Sequence, residues 1–349
     1  MTNCDDAPFD PVPRELATLL DPAWLTWALD DIVAGERVVA VDTADASRTL
    51  AQKVRFTVTF ENEAGARRMR PYCVKAHFGE DGPGTMVPEA RFYRHLAARV
   101  GVRTPHASYV GIDDVAGRAL VVMDDVVSLG GRFLDAHQPY SIETTRDSLD
   151  QLARLHASTW GNPAPDGCEW LVHKVREMID LFPVEALQRL LDDGRAAGLA
   201  PELHSGSNLR TAVCRTAELP NTCVLHGDTH SGNVYLDVQG RACWLDWQVV
   251  QPGNWATDVS YHLGTVLDIE DRRAHEVELL RHYLDRLASY GADAPAFDEA
   301  WDHYTRGFSF GFFLWAITRI SSRAVVLVHM PRLGAALSDH GTYRLLDIS

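Results

Sequence analysis

Residues 221–248 read NTCVLHGDTHSGNVYLDVQGRACWLDWQ, and they carry the clearest structural pattern in the chain. Two short apolar runs, 223–225 and 234–236, predict strands, and a third strand is predicted to end at Asp246. A polar loop separates the first two strands, and a turn at 239–240 precedes the third. The stretch therefore predicts a small hairpin framework. Three polar side chains lie at the ends of its strands: Asp228, Asn233 and Asp246.

The spacing of His226, Asp228 and Asn233 resembles the catalytic loop of protein kinases, H-R-D-x-x-x-x-N. Asp246 begins the tripeptide DWQ, which stands where D-F-G follows in kinases. In kinases the first Asp is the catalytic base, and the Asn and the second Asp bind magnesium. The resemblance implies that Asp228 is the base and that Asn233 and Asp246 are metal ligands.

These residue types suit the chemistry of phosphoryl transfer, which needs mainly positioning and neutralisation of charge on the transferred group. Magnesium prefers oxygen ligands and takes only one or two carboxylates besides the nucleotide phosphates, a demand that Asn233 and Asp246 fit. A base that orients the acceptor hydroxyl and takes its proton typically contributes about 10²–10⁴-fold in rate. The alternative is an ordinary turn between strands, because Asn, Asp and Gly are common turn residues.

The chain resembles the aminoglycoside phosphotransferase and choline kinase superfamily in HGDTHSGNVYLD, in WLDWQ, and in Gly253 and Asp258 of QPGNWATDVSYHL. It is most similar to the branch of ecdysteroid-kinase-like phosphotransferases. By this resemblance His226 would brace the catalytic loop through hydrogen bonds. Asp258 would be a buried residue that braces the same loop through bonds to its backbone.

The resemblance implies an α+β, protein-kinase-like fold of two lobes. Residues 1–126 would form a nucleotide-binding lobe with a small antiparallel sheet of five strands and one main helix. Residues 127–349 would form a larger, mainly α-helical lobe for catalysis and substrate binding. The implied reaction moves the γ-phosphate of ATP or GTP to a hydroxyl group of a small molecule, with Mg²⁺ as cofactor.

Length and composition set the outer limits. A chain of 349 residues exceeds the usual size of one hydrophobic core, and 46% hydrophobic residues indicate a globular protein. The formal net charge is −15, from 33 basic and 48 acidic residues, without the basic cluster that a nucleic-acid partner needs. Scattered cysteines predict reduced thiols. The N-terminus has no evident export signal and the apolar run 308–317 is too short for a bilayer, so a cytoplasmic protein without a membrane partner is expected.

A lysine and a glutamate in the first half of the chain match the nucleotide-binding pair of kinases. Lys75 lies in a predicted strand, 70–78, and Glu89 lies near the start of a predicted helix, 87–100. In kinases a strand lysine holds the nucleotide phosphates and pairs with a helix glutamate. By this resemblance Lys75 and Glu89 form such an ion pair. The alternatives are a solvated lysine at a sheet edge and a carboxylate favoured by the helix dipole.

The segment 42–50 stands where a kinase has its glycine-rich loop over the phosphates, between strands predicted at 37–41 and 53–60. It contains no glycine, so a close approach of its backbone to a phosphate would depend on small side chains such as Ser47. A plain hairpin turn is the alternative.

A second contact with the nucleotide is expected from the connection between the lobes. Strands are predicted at 108–112 and 118–123, and the second runs into this connection. By resemblance, backbone groups of the connection would hydrogen-bond to the adenine. The candidate residues are Met123, Asp124 and Asp125.

Helical patterns account for most of the remaining chain. Predicted helices lie at 11–32, 141–160, 171–194, 201–217, 255–268, 272–290 and 297–322. Aromatic residues recur every three or four positions in the last of these, which predicts an apolar face. Because the superfamily has its acceptor site among these helices, the substrate hypothesis is a bulky, partly apolar alcohol or an antibiotic. His156, on the helix at 141–160, is interpreted as structural.

Two other functions stay open at this point. The glycine-free segment is compatible with a regulatory protein that binds a nucleotide and transfers little phosphate. His226 and His230 also fit the H-x-D-x-H pattern of a metal hydrolase, because imidazole suits zinc. The zinc interpretation leaves Asn233, Lys75 and Glu89 without a role, and the role of His230 stays open in either case.

Overall fold

The computed structural model describes residues 8–32, 35–48, 51–79 and 84–348. The chain forms two compact units. The first comprises Met1–Ala98 and Thr104–Arg132, and the second comprises Arg99–Arg103 and Phe133–Ser349. The functional division into residues 1–126 and 127–349 stays a prediction.

The first unit contains a five-stranded antiparallel sheet with the strand order β1, β2, β3, β5, β4. The strands are β1 (Glu36–Arg48), β2 (Gln52–Asn62), β3 (Arg67–Ala76), β4 (Ala107–Asp113) and β5 (Arg118–Asp124). Along β2, the buried residues Val54, Phe56, Val58 and Phe60 alternate with less buried ones, so one face of the sheet covers the core. The predicted sheet of five antiparallel strands is confirmed.

The start of the chain differs from its prediction. In place of one helix over 11–32, the structure has two short helices, α1 (Leu16–Leu19) and α2 (Pro22–Ala28). Asp21 caps α2, and its carboxylate accepts hydrogen bonds from backbone N–H groups at the start of that helix. The helices are therefore separated by a capping residue, and Trp24 on α2 packs into the same core as β2.

The predicted helix at 87–100 is present as a helical segment with three parts. These are α3 (Met86–Arg91), a π-helical turn (Phe92–Leu96) and α4 (Ala97–Val100). The first part carries Glu89, which is buried.

β1 corrects the prediction for the segment 42–50. The strand continues through residue 48 and pairs with β2, with Ser47 opposite Lys53, so most of the segment is not a loop. Residues 49–50 lie outside the described part of the chain. Residues 42–47 are exposed and lack the apolar alternation by which a half-buried strand is recognised. Hydrogen bonding to β2, which the sequence pattern does not display, holds them extended.

The second unit is mainly helical. In the part of the chain that the structure describes, its α-helices are α5 (Ile142–Ser158), α6 (Lys174–Leu181), α7 (Val184–Leu190), α8 (Gly206–Thr216), α9 (Trp255–Val266), α10 (Ile269–Ser289), α11 (Phe297–Ile317), α12 (Arg323–His340) and α13 (Thr342–Leu345). A π-helical turn follows α7 at Leu191–Arg195, and short 3₁₀ helices lie at Pro201–His204 and Ser231–Asn233. The predicted helical character of this half is confirmed.

Two differences from the predicted helices have local causes. The segment 171–194 forms α6 and α7 because Pro183, which precedes α7, disfavours helical backbone at the residue before it. α12 is absent from the predictions because Pro331 lies inside it and the polar His329 is among its buried residues, which weakens its apolar pattern. Gly341, in a left-handed conformation, ends this helix. Within the described ranges, no helix is both long and apolar enough to cross a membrane.

The remaining strands are short. They are β6 (Arg132–Phe133), β7 (Cys223–Leu225), β8 (Val234–Leu236), β9 (Ala242–Trp244) and β10 (Gln251–Gly253). β8 and β9 form a predicted hairpin, but β7 pairs with β10, a strand that the sequence pattern does not predict. A Cβ atom at Gly253 would lie 2.4 Å from Cδ1 of Leu225, so any other residue at this position would have to displace that side chain.

Arg195 closes the C-terminal end of α11. Its Nη1 atom donates hydrogen bonds to the carbonyl oxygens of Trp315, Ala316 and Thr318, at 3.2, 2.6 and 3.1 Å. Its Nη2 atom lies 2.8 Å from the carboxylate of Asp193, which balances the guanidinium charge. The last carbonyl groups of a helix have no partner within the helix, so Arg195 satisfies groups that would otherwise be buried and unpaired.

Arg195→Met is expected to lower the free energy of unfolding by about 2–3 kcal/mol, because buried carbonyl groups lose their donors. Methionine retains much of the aliphatic volume, so the lost hydrogen bonds dominate the effect. Urea denaturation measures the change. The control is Arg189→Met on the exposed side of α7, which should change the free energy by less than about 0.5 kcal/mol. Equal effects of the two substitutions would contradict the role of Arg195.

Candidate active site

Asp258, a fully buried residue on α9, holds the loop between β7 and β8 in place. One carboxylate oxygen accepts a hydrogen bond from the backbone N–H of His226 at 2.7 Å, and the other accepts one from Gly227 at 2.9 Å. The backbone carbonyl of Asp258 accepts a further hydrogen bond from the Thr229 hydroxyl at 2.8 Å. The prediction that Asp258 braces the loop through backbone bonds is confirmed.

Gly227 is required by the geometry of this brace. Its φ is +81°, in the region that favours glycine, and a Cβ atom would lie 2.2 Å from the carbonyl oxygen of Val249. A larger residue would therefore displace the loop from Asp258.

His156 acts on the same carboxylate. Its Nε2 atom lies 3.2 Å from Oδ2 of Asp258, and its Nδ1 atom lies 2.8 Å from the hydroxyl of Tyr283. Because Asp258 can only accept, the imidazole donates from Nε2 and accepts at Nδ1. The interpretation of His156 as structural is confirmed, since both of its nitrogen atoms hold buried partners.

His226 joins the loop to the strand end that precedes Asp246. Its Nδ1 atom accepts a hydrogen bond from the backbone N–H of Asp228 at 3.2 Å, so its proton lies on Nε2, which donates to the carbonyl of Leu245 at 3.0 Å. Burial lowers the pKa of His226, which keeps the imidazole neutral. The backbone N–H of Leu245 in turn donates to the carbonyl of Asn233 at 3.0 Å. His226 therefore braces the loop as predicted, and neither of its nitrogen atoms is left to bind zinc.

The carboxylate of Asp228 is held on two sides. Its Oδ1 atom accepts a hydrogen bond from the Tyr261 hydroxyl at 3.0 Å, and its Oδ2 atom accepts one from Nδ2 of Asn233 at 3.0 Å. Nε2 of His230 lies 3.6 Å from the same Oδ2 atom. Burial alone would raise the pKa of Asp228, but the neighbouring imidazole of His230 outweighs this effect and holds the pKa below its usual value. Asp228 is therefore a carboxylate at neutral pH.

His230 shapes the loop as well as touching Asp228. Its Nδ1 atom accepts a hydrogen bond from the backbone N–H of Gly232 at 3.0 Å, which leaves the Nε2 side of the ring toward the carboxylate. The ring lies 5.3 Å from the ring of Trp315 and 6.4 Å from that of Tyr261, centroid to centroid. The structure therefore shows that His230 contacts Asp228 and is surrounded by aromatic rings, while its chemical role stays open.

Asp246 follows β9 in a conformation that few side chains adopt. Its φ is +66°, in the left-handed region that Asp and Asn tolerate better than most residues. The amide nitrogen of Asn233 is used by Asp228, both at the carboxylate and at the backbone carbonyl at 2.8 Å, so its Oδ1 is the atom suited to a cation. The strand ends thus carry one carboxylate and one amide oxygen.

This donor set fits magnesium. Across residues 8–32, 35–48, 51–79 and 84–348, no group of three or more His, Cys, Asp or Glu side chains is arranged to hold a metal ion. Mg²⁺ takes one or two protein oxygens and completes its shell with nucleotide phosphates and water, so one carboxylate and one amide oxygen are compatible with it.

In the first unit, Lys75 on β3 and Glu89 on α3 form a buried ion pair. Lys75 Nζ lies 2.6 Å from Glu89 Oε2, and the two side chains are 4% and 1% exposed. The predicted ion pair is confirmed, and neither the solvated lysine nor the lone helix-start carboxylate describes these residues.

Glu89→Gln is expected to lower the free energy of unfolding by about 3–5 kcal/mol, because it removes one charge of a buried ion pair. Arg37→Met is the control, because it breaks an ion pair between Arg37 and Glu61 in which the Arg37 side chain is 71% exposed. This substitution should change the free energy of unfolding by less than about 1 kcal/mol. Chemical denaturation measures both. A loss for Glu89→Gln as small as that of the control would contradict an energetically important buried pair.

The residues predicted at the adenine have their side chains engaged within the first unit. Asp124, the last residue of β5, accepts a hydrogen bond from Arg70 at 2.9 Å. Asp125 is buried, and both of its carboxylate oxygens lie 3.0 Å from Nε of Arg55. The carboxylates of Asp124 and Asp125 are therefore engaged by arginine side chains, and the contact expected from this segment would come from its backbone groups. Its binding of adenine stays a prediction, as does a phosphate contact by Ser47.

Tyr261 is the site residue that sequence reasoning missed. A tyrosine in a buried helix is usually part of the core, and α9 is buried along its whole length. Its position in the sequence could have indicated this role, because Tyr261 follows Asp258 by three residues and so lies on the same side of α9.

The chain is similar to known proteins in sequence pattern and in fold. The model of the phosphotransferase enzyme family matches residues 11–299. No curated protein matches the chain by sequence. Among solved structures, an ethanolamine kinase of Plasmodium vivax has a TM-score of 0.50 at 13% identity, with 94% of this chain and 90% of that chain covered.

Two further solved structures are similar at lower TM-scores. The GDP complex of wild-type aminoglycoside 2'-phosphotransferase-IIIa has a TM-score of 0.48 at 12% identity, with 91% of this chain and 99% of that chain covered. Choline kinase LicA from Streptococcus pneumoniae has a TM-score of 0.46 at 14% identity, with 90% and 98% covered. The family match spans both the Lys75–Glu89 pair and the loop between β7 and β8, and it confirms the predicted superfamily. The chain therefore belongs to the phosphotransferase enzyme family and is a small-molecule kinase.

Proposed function

We propose that the protein transfers the γ-phosphate of ATP or GTP to a hydroxyl group of a small molecule. The observation that carries the proposal is the carboxylate of Asp228, which Tyr261 and Asn233 hold on a loop that Asp258 fixes. A general base must first be oriented and then ionised at the working pH, and Asp228 meets both conditions.

Asp228 is the proposed base in this reaction. The acceptor hydroxyl donates a hydrogen bond to the Asp228 carboxylate while its oxygen approaches the γ-phosphorus. A new P–O bond forms, the bond between the γ-phosphorus and the oxygen bridging to the β-phosphate breaks, and the hydroxyl proton passes to Asp228. The products are the phosphorylated acceptor and ADP or GDP, and Asp228 then returns its proton to solvent.

Asn233 and Asp246 are the proposed ligands of Mg²⁺. Asn233 would bind through Oδ1 and Asp246 through its carboxylate, while Leu245 keeps the two strand ends together by its hydrogen bonds to Asn233 and His226. When bound, Mg²⁺ would neutralise charge on the nucleotide phosphates.

Residues of the first unit are proposed to bind the nucleotide. Lys75 would contact the phosphates, and Glu89 would keep its ammonium group in place through their 2.6 Å contact. Other candidates are the small side chain of Ser47 near the phosphates and the backbone of residues 123–125 at the base. The candidates are Lys75, Glu89, Ser47, Met123, Asp124 and Asp125.

The acceptor is proposed to be a bulky, partly apolar alcohol, which includes antibiotics with such a group. The apolar character of α11, which lies among the helices where the superfamily is expected to bind its acceptor, supports this class. The rings of Trp315 and Tyr261 beside His230 are buried and belong to the packing of this region. Steroid or terpenoid alcohols would also agree with the ecdysteroid-kinase-like branch, which stays a prediction, as does a cytoplasmic location.

The test measures release of ADP and GDP with Mg²⁺ against a library of sugars, antibiotics, steroids and terpenoid alcohols. Turnover with an apolar alcohol supports the full proposal, whereas turnover with polycationic aminoglycosides alone removes the proposed acceptor class. Nucleotide binding, seen as a thermal shift without transfer to any alcohol, would favour the regulatory protein instead. Zinc-dependent hydrolysis that is indifferent to nucleotides would favour the metal hydrolase.

A further inference from the structure

We propose that Tyr261 is a positioning residue for the base, because its hydroxyl fixes the plane of the Asp228 carboxylate and directs Oδ1 toward the acceptor. This inference rests on the proposed function, since it assigns Asp228 as the group that takes the acceptor proton. Its structural basis is the 3.0 Å hydrogen bond from the Tyr261 hydroxyl to Asp228 Oδ1.

The ring of Tyr261 is held rigidly. The residue is 1% exposed, and its ring meets that of Phe310 on α11 edge to face at 6.0 Å between centroids. On the same helix, a Cβ atom at Gly311 would lie 2.4 Å from Cδ2 of Tyr261, so α11 has glycine where the ring packs against it. A phenol fixed in this way can present its hydroxyl in only one place, which suits a group that orients another side chain.

α9 holds the base at two levels. Asp258 binds the backbone of the loop at His226 and Gly227, and Tyr261, three residues later on the same helix, binds the carboxylate of Asp228. A movement of α9 would therefore shift the loop backbone and the carboxylate together, which preserves the orientation of the base relative to its own loop.

The hydrogen bonds of Asp228 distinguish its two oxygen atoms. Oδ2 accepts from Asn233 and lies near Nε2 of His230, whereas Oδ1 accepts from Tyr261. Each carboxylate oxygen can accept two hydrogen bonds, so Oδ1 could accept one from the acceptor hydroxyl in addition to that of Tyr261. The terminal torsion of an aspartate is broad and has two-fold character, so the carboxylate needs a donor on each oxygen to hold one plane.

Tyr261 is suited to donate throughout the reaction. Burial, together with the charge of Asp228, raises the pKa of Tyr261 well above its usual value, so its hydroxyl stays protonated. It can therefore orient the base but cannot replace it as a proton acceptor.

The test compares Tyr261→Phe with Tyr304→Phe in the full chain. Tyr304 is an equally buried tyrosine whose hydroxyl donates to a carboxylate, Oε2 of Glu276, also at 3.0 Å, but that carboxylate has no role in the proposed reaction. Both substitutions remove one buried hydroxyl group and keep the ring. A purely structural role of Tyr261 thus predicts matching effects in the two variants.

The kinetic readout is ADP release from MgATP, and GDP release from MgGTP, with water as acceptor and with any alcohol that the wild-type enzyme phosphorylates. Tyr261→Phe is expected to lower kcat roughly tenfold while KM for the nucleotide stays within about twofold, because the base is misoriented and the nucleotide contacts are unchanged. Tyr304→Phe should retain the wild-type kcat. A wild-type kcat in Tyr261→Phe, equal losses in both variants, or a change confined to KM overturns the inference.

A spectroscopic readout tests the contact without turnover. In protein labelled with ¹³C at the tyrosine ζ carbon, the Tyr261 signal is the one missing from Tyr261→Phe, and Asp228→Asn should move that signal because it replaces a charged acceptor. An unmoved signal overturns the contact. Wild-type protein that releases neither ADP nor GDP removes the proposed function and this inference with it, whereas wild-type turnover with an unaffected Tyr261→Phe removes the inference alone.

Discussion

Asp228→Asn is expected to lower kcat by about 10²–10⁴-fold and to leave KM for the nucleotide nearly unchanged. The amide has the size of the carboxylate, and its single oxygen can still accept one of the two hydrogen bonds that Tyr261 and Asn233 donate to the carboxylate. It cannot take a proton from the acceptor at neutral pH. The substitution thus removes the base while the loop keeps its brace from Asp258, so the fold should be retained.

A nearby aspartate provides the matched control for this experiment. Asp237 lies in the turn between β8 and β9, where Oδ1 accepts hydrogen bonds from the backbone of Gln239 and Arg241, each at 2.9 Å. Asparagine can accept both of these bonds, so Asp237→Asn should leave kcat within about twofold of wild type. Release of ADP or GDP under saturating nucleotide measures the rates, and urea denaturation reports whether both variants fold. Wild-type turnover by folded Asp228→Asn would contradict the assignment of Asp228 as the base.

The parts of the site that could be predicted are those that one short stretch encodes. Asp228, Asn233 and Asp246 stand out because short apolar strands bracket them, and the structure places strands β7, β8 and β9 close to the predicted positions. The Lys75–Glu89 pair could be predicted because both residues lie on regular elements whose order resembles that of kinases. In these cases the local sequence carries both the element and the chemistry.

The parts that were missed depend on contacts between distant residues. The exposed half of β1 is held by pairing with β2, and β10 by pairing with β7, so neither shows the alternation of a half-buried strand. Tyr261 is distinguished only by its partner, because a tyrosine facing a carboxylate and a tyrosine facing apolar side chains look the same in a buried helix. Contacts between residues far apart in the sequence thus determine these strands and the role of Tyr261, and the periodicity of the sequence does not reveal such contacts.

Asp246→Asn is expected to lower turnover at fixed Mg²⁺ by at least about 10²-fold, because a lost carboxylate ligand removes several kcal/mol of charge stabilisation at the phosphates. The backbone should tolerate the change. Asp246 has a φ of +66°, and asparagine is among the few residues that accept this left-handed conformation. The substitution therefore changes the charge of the proposed ligand without straining the turn after β9.

The dependence on Mg²⁺ separates a metal ligand from a turn residue. Loss of a metal ligand raises the Mg²⁺ concentration needed for the half-maximal rate. Turnover of Asp246→Asn should therefore recover partly as Mg²⁺ is increased. A distorted turn would instead lower the rate without changing the Mg²⁺ requirement. Asp347→Asn is the matched control, because Asp347 also has a positive φ, +51°, but lies near the C-terminus with an exposed side chain. It should change neither the rate nor the Mg²⁺ requirement. An unaltered Mg²⁺ requirement in Asp246→Asn would show that Asp246 does not bind the metal together with Asn233, and would contradict the proposed metal site.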